Sequence, residues 1–256
     1  MHAEKLYFSQ PLKERLRFFI RLEFLFRLAN STLHGDTVES SHHTLCTLLD
    51  IIGFVKQQDL KREVLKELDR VITSLTPLQE SPDIEHGTLQ QILTTLDDYR
   101  SQLLAINGPI GQGLRDNEFL KTVQQRKNIP GGLTETDPPV YHHWLLQPAE
   151  KRTEDLSSWL AEFELLQNSI SLVLKLVRDS ATPLSRIAES GTYKQSLDGS
   201  IPFQMIMVAL PAGSPLFAEI SGGKHRFNVR FMDSQAKPRP AQTTKDVEFE
   251  LYCCAL

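Results

Sequence analysis

A segment near the C-terminal end of the chain combines cationic side chains with the alternation of a β-strand. It spans residues 222–232 and has the sequence Gly-Gly-Lys-His-Arg-Phe-Asn-Val-Arg-Phe-Met. With a period of two, one face takes Lys224, Arg226, Asn228 and Arg230. The other face takes the intervening side chains His225, Phe227, Val229 and Phe231. Because arginine can hold a carboxylate through two parallel hydrogen bonds, the pattern predicts a half-buried strand that presents a binding face to an acidic ligand.

The alternative for this segment is a solvated sheet face that binds nothing. Two neighbouring features favour binding. Gly222 and Gly223 precede the cations, and glycine lets another backbone approach closely. Aromatic side chains alternate with the cations, so they can frame a pocket for a peptide.

No other set of residues predicts chemistry as clearly. Gly111-Gln112-Gly113 resembles the start of a phosphate-binding loop, but it lacks the third glycine and the lysine–hydroxyl pair. The histidine pairs at 42–43 and 142–143 belong to no zinc-binding pattern, and adjacent side chains diverge on a helix or a strand. Cys253 and Cys254 end an alternating strand, where a cysteine can serve as a small buried apolar residue. The sequence therefore predicts no catalytic residue, no metal site and no cofactor.

The composition is that of an ordinary globular chain with a mildly acidic balance. Of its 256 residues, 40% are hydrophobic and 23% charged, and the formal net charge is -4. Nucleic-acid binding is disfavoured, because a basic domain is expected for that class. The sequence has no run of about 18 apolar residues and no apolar leader, so we expect neither membrane insertion nor secretion. Three cysteines, two of them adjacent, suit a reducing cytoplasm better than a disulfide framework.

The apolar periodicity changes once along the chain, at Pro183. Before it, a period of 3.6 predicts helices over 12–30, 37–54, from 59, from Ser81-Pro82 to about 108, over 117–127 and over 153–180. After it, a period of two predicts strands over 192–197, 203–210, 216–221, 225–232 and 247–254, with a mobile loop at 233–244.

Helices followed by strands indicate an α+β fold, with a mostly helical N-terminal region and a C-terminal antiparallel sheet region. We expect a helical domain at 1–183 and a β-strand domain at 184–256 that carries the basic pocket. A short strand at 5–9 is a candidate additional strand of the sheet.

The first predicted helix is apolar over more than one stripe. A helix that is apolar on two sides needs two surfaces to pack against. We therefore expect part of a homodimer contact on this helix, with Phe19 and Phe26 as candidate residues. The alternative is burial within its own domain.

The chain resembles the ZapD family of bacterial cell-division proteins, which associate with the FtsZ ring. Short segments that match the family occur in order along nearly the whole chain. They comprise Arg21-Leu22-Glu23-Phe24-Leu25, Leu65-Lys66-Glu67-Leu68-Asp69-Arg70, Ile110-Gly111-Gln112, Gln125-Arg126, Ile129-Pro130-Gly131-Gly132, His143-Trp144-Leu145, the segment Ser221–Phe231 and Phe249-Glu250-Leu251-x-Cys253-Cys254. After Gly132 the family's usual pattern is replaced by residues 133–138, so the role of that loop is not carried over.

The resemblance implies a non-enzymatic, cytoplasmic homodimer at the midcell Z-ring. Such proteins bind the C-terminal tail of FtsZ in a positive pocket of a β-strand domain and bundle FtsZ protofilaments, which lowers FtsZ GTPase activity. By resemblance, Arg226 and Arg230 match the peptide-binding arginines, with Lys224 beside them. A further basic position of the family falls on Lys56 or Gln57.

Two rival functions stay open at this stage. One is an enzyme that binds an acidic ligand or a nucleotide through the same basic patch and Gly111-Gln112-Gly113. The other, weaker one is a nucleic-acid binder that uses the basic face.

Overall fold

The structure, a computed structural model, describes residues 5–57, 59–82, 85–134 and 136–256. Helices occupy most of the chain up to residue 179 and antiparallel strands follow, which confirms the α+β fold. Within those ranges the α-helices are α1 Glu14–Leu33, α2 Val38–Gln57, α3 Leu60–Leu75, α4 His86–Ala105, α5 Gln112–Asp116, α6 Glu118–Lys127, α7 Pro139–Leu145, α8 Ala149–Ala161 and α9 Glu164–Asp179. The strands are β1 Lys5–Pro11, β2 Leu184–Ala188, β3 Thr192–Ser196, β4 Met205–Pro211, β5 Leu216–Gly222, β6 Arg226–Asp233, β7 Ala241–Gln242 and β8 Val247–Cys254.

The chain forms two compact units. The β unit takes the residues up to Phe18 and those from Leu174 onward, and the helical unit takes Phe19–Val173. This division differs from the expected boundary at residue 183, because β1 and the end of α9 group with the strands. No helix in the described ranges is long and apolar enough to cross a membrane.

Two antiparallel sheets pack face to face in the β unit. One has the strand order β1-β4-β8-β2 and the other β3-β6-β5, and β7 pairs with the end of β6. Alternate side chains of both sheets share one buried core, to which Val208, Phe231 and Phe249 belong. A core of this kind holds the strands in a fixed register, because a slip by one residue would expose every apolar side chain.

Two strands of the first sheet lie at its edges. β1 pairs with β4 in a register that places Phe8 opposite Val208. β2 pairs with β8 and was not predicted from the sequence. Its five residues are mostly exposed, so they lack the apolar alternation that marks a half-buried strand.

The single helix expected over 153–180 is two helices, which is a correction to the sequence-based prediction. α8 ends at Ala161 and α9 begins at Glu164, with the buried ring of Phe163 between them. That ring lies against Gly111, where an added Cβ would stand 2.7 Å from it. The segment contains no glycine or proline, and the break coincides with the packing of Phe163 against a residue distant in sequence, which periodicity does not report.

The fourth helix begins later than its sequence signal indicated. α4 starts at His86, whereas Ser81 closes a 3₁₀ turn at Thr76–Glu80 and donates its backbone N–H to the carbonyl of Leu78. The Ser-Pro pair therefore marks the end of a turn, not a helix cap.

Phe19 and Phe26 lie inside the helical unit, which corrects their assignment to a dimer contact. Their side chains are 0% and 2% exposed, and the ring of Phe26 lies 6.3 Å from that of Phe163. Side chains without exposed surface cannot contact a second copy of the chain. The exposed apolar side chains of α1 are instead Phe24 and Leu28.

Candidate functional site

The hairpin of β5 and β6 carries the cations that the sequence singled out. Its turn is formed by Gly223, Lys224 and His225, and the Gly223 N–H donates to the carbonyl of Arg226 at 3.0 Å. β6 therefore begins at Arg226, one residue later than predicted, and Lys224 lies in the turn instead of on the strand face. A Cβ on Gly222 would stand 3.0 Å from Leu12, whereas Gly223 has open space around it.

From Arg226 onward the predicted alternation is present. Phe227, Val229 and Phe231 are buried in the core between the sheets, with the ring of Phe231 5.0 Å from that of Phe249. Arg226 and Arg230 are exposed on the opposite face. The same strand thus anchors the hairpin through one face and presents guanidinium groups through the other.

The neighbouring strand β3 adds a cation that sequence reasoning missed. Lys194 lies directly opposite Asn228 in the β3–β6 register and is exposed. Residues opposite each other in an antiparallel pair share a face of the sheet, so Lys194 stands beside the arginines. The strand at 192–197 was predicted, but a strand pattern does not reveal which strand becomes its neighbour.

A surface pocket of about 830 Å³ lies over this part of the sheet. Its lining includes Lys194, Ser196, Ser221, Lys224, Arg226 and Asn228. In the described part of the chain, no hydrogen bond or ion pair links the cationic groups of Lys194, Lys224 or Arg226 to another residue. We call these three residues the open cations, because their charges are available to a ligand.

Arg230 differs from the open cations. Its Nη2 donates to Oε2 of Glu219 at 2.7 Å, across the β5–β6 pair in which the two residues are directly opposite. The side chains are 51% and 45% exposed, so solvent screens the pair and it contributes at most about 1 kcal/mol to stability. Arg230 therefore meets a ligand only in competition with a carboxylate already present.

Asn228 lies between the two arginines and has an unusual environment. Its Oδ1 atom is buried and has no hydrogen-bond partner in the described residues. A buried acceptor without a donor costs free energy, of order 1–3 kcal/mol. Because Oδ1 has almost no exposed surface, a ligand N–H can bond to it only after the Asn228 side chain rotates; an extended peptide has such a group at every residue except proline.

Lys56 belongs to the helical unit, where it is exposed in the last turn of α2. The side chain of Gln57, the alternative match to the same family position, lies outside the described part of the structure. The assignment of this position stays a prediction.

Comparison with known proteins identifies the family. A model of the ZapD family, described as cell division protein, matches residues 20–230. The chain belongs to the ZapD family. It is 39% identical to the cell division protein ZapD of Methylococcus capsulatus over 246 residues, 96% of each chain. It is also 33% identical to the Coxiella burnetii protein of that name over 258 residues, which covers both chains completely. The chain is thus similar to cell division proteins over its whole length.

The family match includes the segment that first suggested a phosphate loop, but its geometry does not form one. An added Cβ on Gly111 would clash with the ring of Phe163, and one on Gly113 would stand 3.0 Å from a carboxylate oxygen of Glu162. Close packing therefore excludes a side chain at Gly111, and the acidic side chain beside Gly113 would repel a phosphate.

The histidines and cysteines also have structural environments. His42 contacts the hydroxyl of Tyr141 and lies 3.6 Å from Sγ of Cys46, and burial lowers its pKa. Burial raises the pKa of Cys254 to about 12, and that of Cys253 is raised by the same cause. No three metal-ligating side chains converge within the described ranges.

Proposed function

We propose that this chain is a non-enzymatic cell-division factor that binds the C-terminal tail of FtsZ. The binding site is its basic surface, which consists of the open cations and Arg230. As a homodimer the protein crosslinks FtsZ protofilaments into bundles, promotes assembly of the Z-ring at midcell in the cytoplasm, and thereby reduces FtsZ GTPase activity. It needs no cofactor. The observation that carries the proposal is the cluster of open cations Lys194, Lys224 and Arg226 around one pocket of a chain whose net charge is -4.

The chemistry of the pocket suits an extended peptide that carries carboxylates. A charge-assisted hydrogen bond contributes about 1.5–3 kcal/mol when it is shielded from water and much less when it is exposed. Because the pocket is open, each tail contact is weak. A filament presents many tails, so two binding sites on one dimer convert weak single contacts into a stable crosslink.

The exposed apolar face of α1 supplies a candidate dimer contact in place of Phe19 and Phe26. Phe24 and Leu28 are 44% and 42% exposed and lie one helical turn apart. The guanidinium carbon atoms of Arg21 and Arg27 lie 5.8 and 5.7 Å from the centre of the Phe24 ring. An aromatic side chain framed by arginines is typical of residues that contribute most to protein–protein contacts.

Co-sedimentation tests the binding proposal. The protein is pelleted with FtsZ polymers made from intact FtsZ or from FtsZ without its C-terminal tail, at low and at high salt. We expect tail-dependent pelleting that weakens with salt, because exposed charges are screened. Equal pelleting with tailless FtsZ would exclude the basic surface as a tail-binding site.

Charge reversal at the arginines separates binding from assembly. Arg226→Glu together with Arg230→Glu should abolish bundling and leave the dimer intact in size-exclusion chromatography. Lys245→Glu is the matched control, because Lys245 is an exposed cation of the same unit outside the pocket. Loss of the dimer in the double variant would show that the outer face of β6 is a structural surface.

Substitution on α1 tests the dimer contact. Phe24→Ser should shift the protein towards a monomer in analytical ultracentrifugation, and bundling should fall while binding of a single tail peptide is kept. Leu104→Ser, which changes an exposed apolar residue of α4, is the control. A stable dimer in the Phe24 variant would place the contact elsewhere.

A further inference from the structure

The two ends of the basic surface differ in one respect that the proposed function does not explain. At the turn end, Arg226 has no partner among the described residues, whereas four residues further along β6 Arg230 is paired with Glu219. The distance between these positions is about 13 Å along an extended strand. One guanidinium is therefore free and the other is occupied before any ligand arrives.

We infer that Glu219 is an internal competitor for Arg230, which keeps the contact between the site and each single FtsZ tail weak. The inference rests on the proposed function and concerns the affinity of the same site. A tail carboxylate that approaches Arg230 must displace the Glu219 carboxylate or share the guanidinium with it. In the second case, two negative charges stand close together, and their repulsion opposes binding.

The geometry of the pair suits a competitor that can be displaced. Glu219 has no other hydrogen bond or ion pair in the described residues, so it loses no second contact when it moves. Both side chains are about half exposed, and an ion pair in water is weak enough for a ligand to open. Because Glu219 is part of the same sheet, it also competes at every moment, unlike a free anion at low concentration.

Weak single contacts have a consequence for a crosslinking protein. A site with high affinity for one tail would be filled by unpolymerised FtsZ as readily as by filaments. With a weak site, binding is stable only when both sites of the dimer are occupied at once by tails that filaments present close together. Glu219 would thus favour polymerised over unpolymerised FtsZ, and a crosslink could also be released rapidly.

The test is a double-mutant cycle. Binding of a fluorescently labelled FtsZ C-terminal tail peptide to the full-length protein is measured by anisotropy at low salt, for the wild type, Glu219→Gln, Arg230→Gln and the double variant. Glutamine keeps the size of the side chain and removes its charge. We expect Glu219→Gln to tighten binding about three- to fivefold, the change that removing one exposed charge contact produces. The gain should disappear when Arg230 is also glutamine.

Controls and outcomes separate this inference from the proposed function. Glu248→Gln, which removes an exposed carboxylate of β8 in the other sheet, should leave affinity unchanged. Thermal unfolding shows whether each variant is folded. If the wild type binds the peptide but Glu219→Gln binds it equally or more weakly, Glu219 is a structural cross-strand partner and the inference is wrong. If the wild type does not bind the peptide, the proposed function fails first, and the inference fails with it.

Discussion

On the inner face of β6, Phe227, Val229 and Phe231 pack between two sheets, whereas on the outer face Arg226 and Arg230 reach solvent. These side chains alternate along one strand, so the two faces are separated by no more than the thickness of the sheet. Their energetics differ in kind. Burial of the inner residues stabilises the fold by removing apolar surface from water, while the outer residues contribute little to stability and act mainly when a ligand supplies the opposite charge.

The two arginines of the outer face differ in turn. Arg226 lies among open cations at the pocket, and Arg230 is paired with Glu219. A row of cations in the sequence does not distinguish them. The comparison shows that the cations of one strand face contribute unequally when a neighbouring strand supplies a counter-charge.

The largest expected effect is on the inner face. Phe231→Ala should destabilise the protein by about 3–5 kcal/mol, because Phe231 is fully buried and its removal leaves a cavity between the sheets. Denaturant unfolding followed by circular dichroism measures the change, and Phe231→Leu should cost clearly less. If the free energy of unfolding of the alanine variant fell by less than about 1 kcal/mol, packing of the inner face would not be what stabilises the hairpin.

The outer face should show the reverse behaviour. Arg226→Gln should weaken binding of the FtsZ tail peptide about tenfold, which corresponds to about 1.4 kcal/mol. The free energy of unfolding should change by no more than about 0.5 kcal/mol. Arg230→Gln should weaken binding only about threefold, since Glu219 already occupies this guanidinium and limits what it contributes to a ligand. Isothermal titration calorimetry measures both. Equal losses would remove the distinction between the two ends of the surface.

The alternation of buried and exposed side chains in β6 could be predicted from the sequence, because apolar and polar residues alternate with a period of two in a half-buried strand. The sequence also predicted the α+β fold and most helices, since their apolar stripes are long. It did not predict Lys194 or Glu219 as parts of the site, because both lie on strands whose pairing with β6 depends on the fold topology. The break at Phe163 was missed for the same reason, as the close approach of its ring to Gly111 is a tertiary contact.

A substitution between the arginines should change stability and binding in opposite directions. Asn228→Val replaces a buried acceptor, which has no partner in the described part of the chain, by a β-branched apolar side chain that suits a strand. We expect the free energy of unfolding to rise by about 1 kcal/mol, because the desolvation cost of Oδ1 disappears. Peptide affinity should fall, since the acceptor that a ligand N–H would use is gone. A valine variant that is more stable and binds equally well would show that Asn228 is not part of the binding surface.

The smallest effect is expected at Lys194, and it is best seen in the salt dependence. Lys194 is an exposed cation on a strand adjacent to Arg226 and Asn228, so it acts mainly through its charge and not through a fixed hydrogen bond. Lys194→Gln should weaken peptide binding about two- to threefold at low salt. At high salt its affinity should approach that of the wild type, because screening removes the contribution of an exposed charge in both proteins. Lys194→Arg keeps the charge and should bind like the wild type. If the affinity of the glutamine variant were lower by the same factor at every salt concentration, Lys194 would contact the peptide directly. In that case both β3 and β6 would bind the peptide.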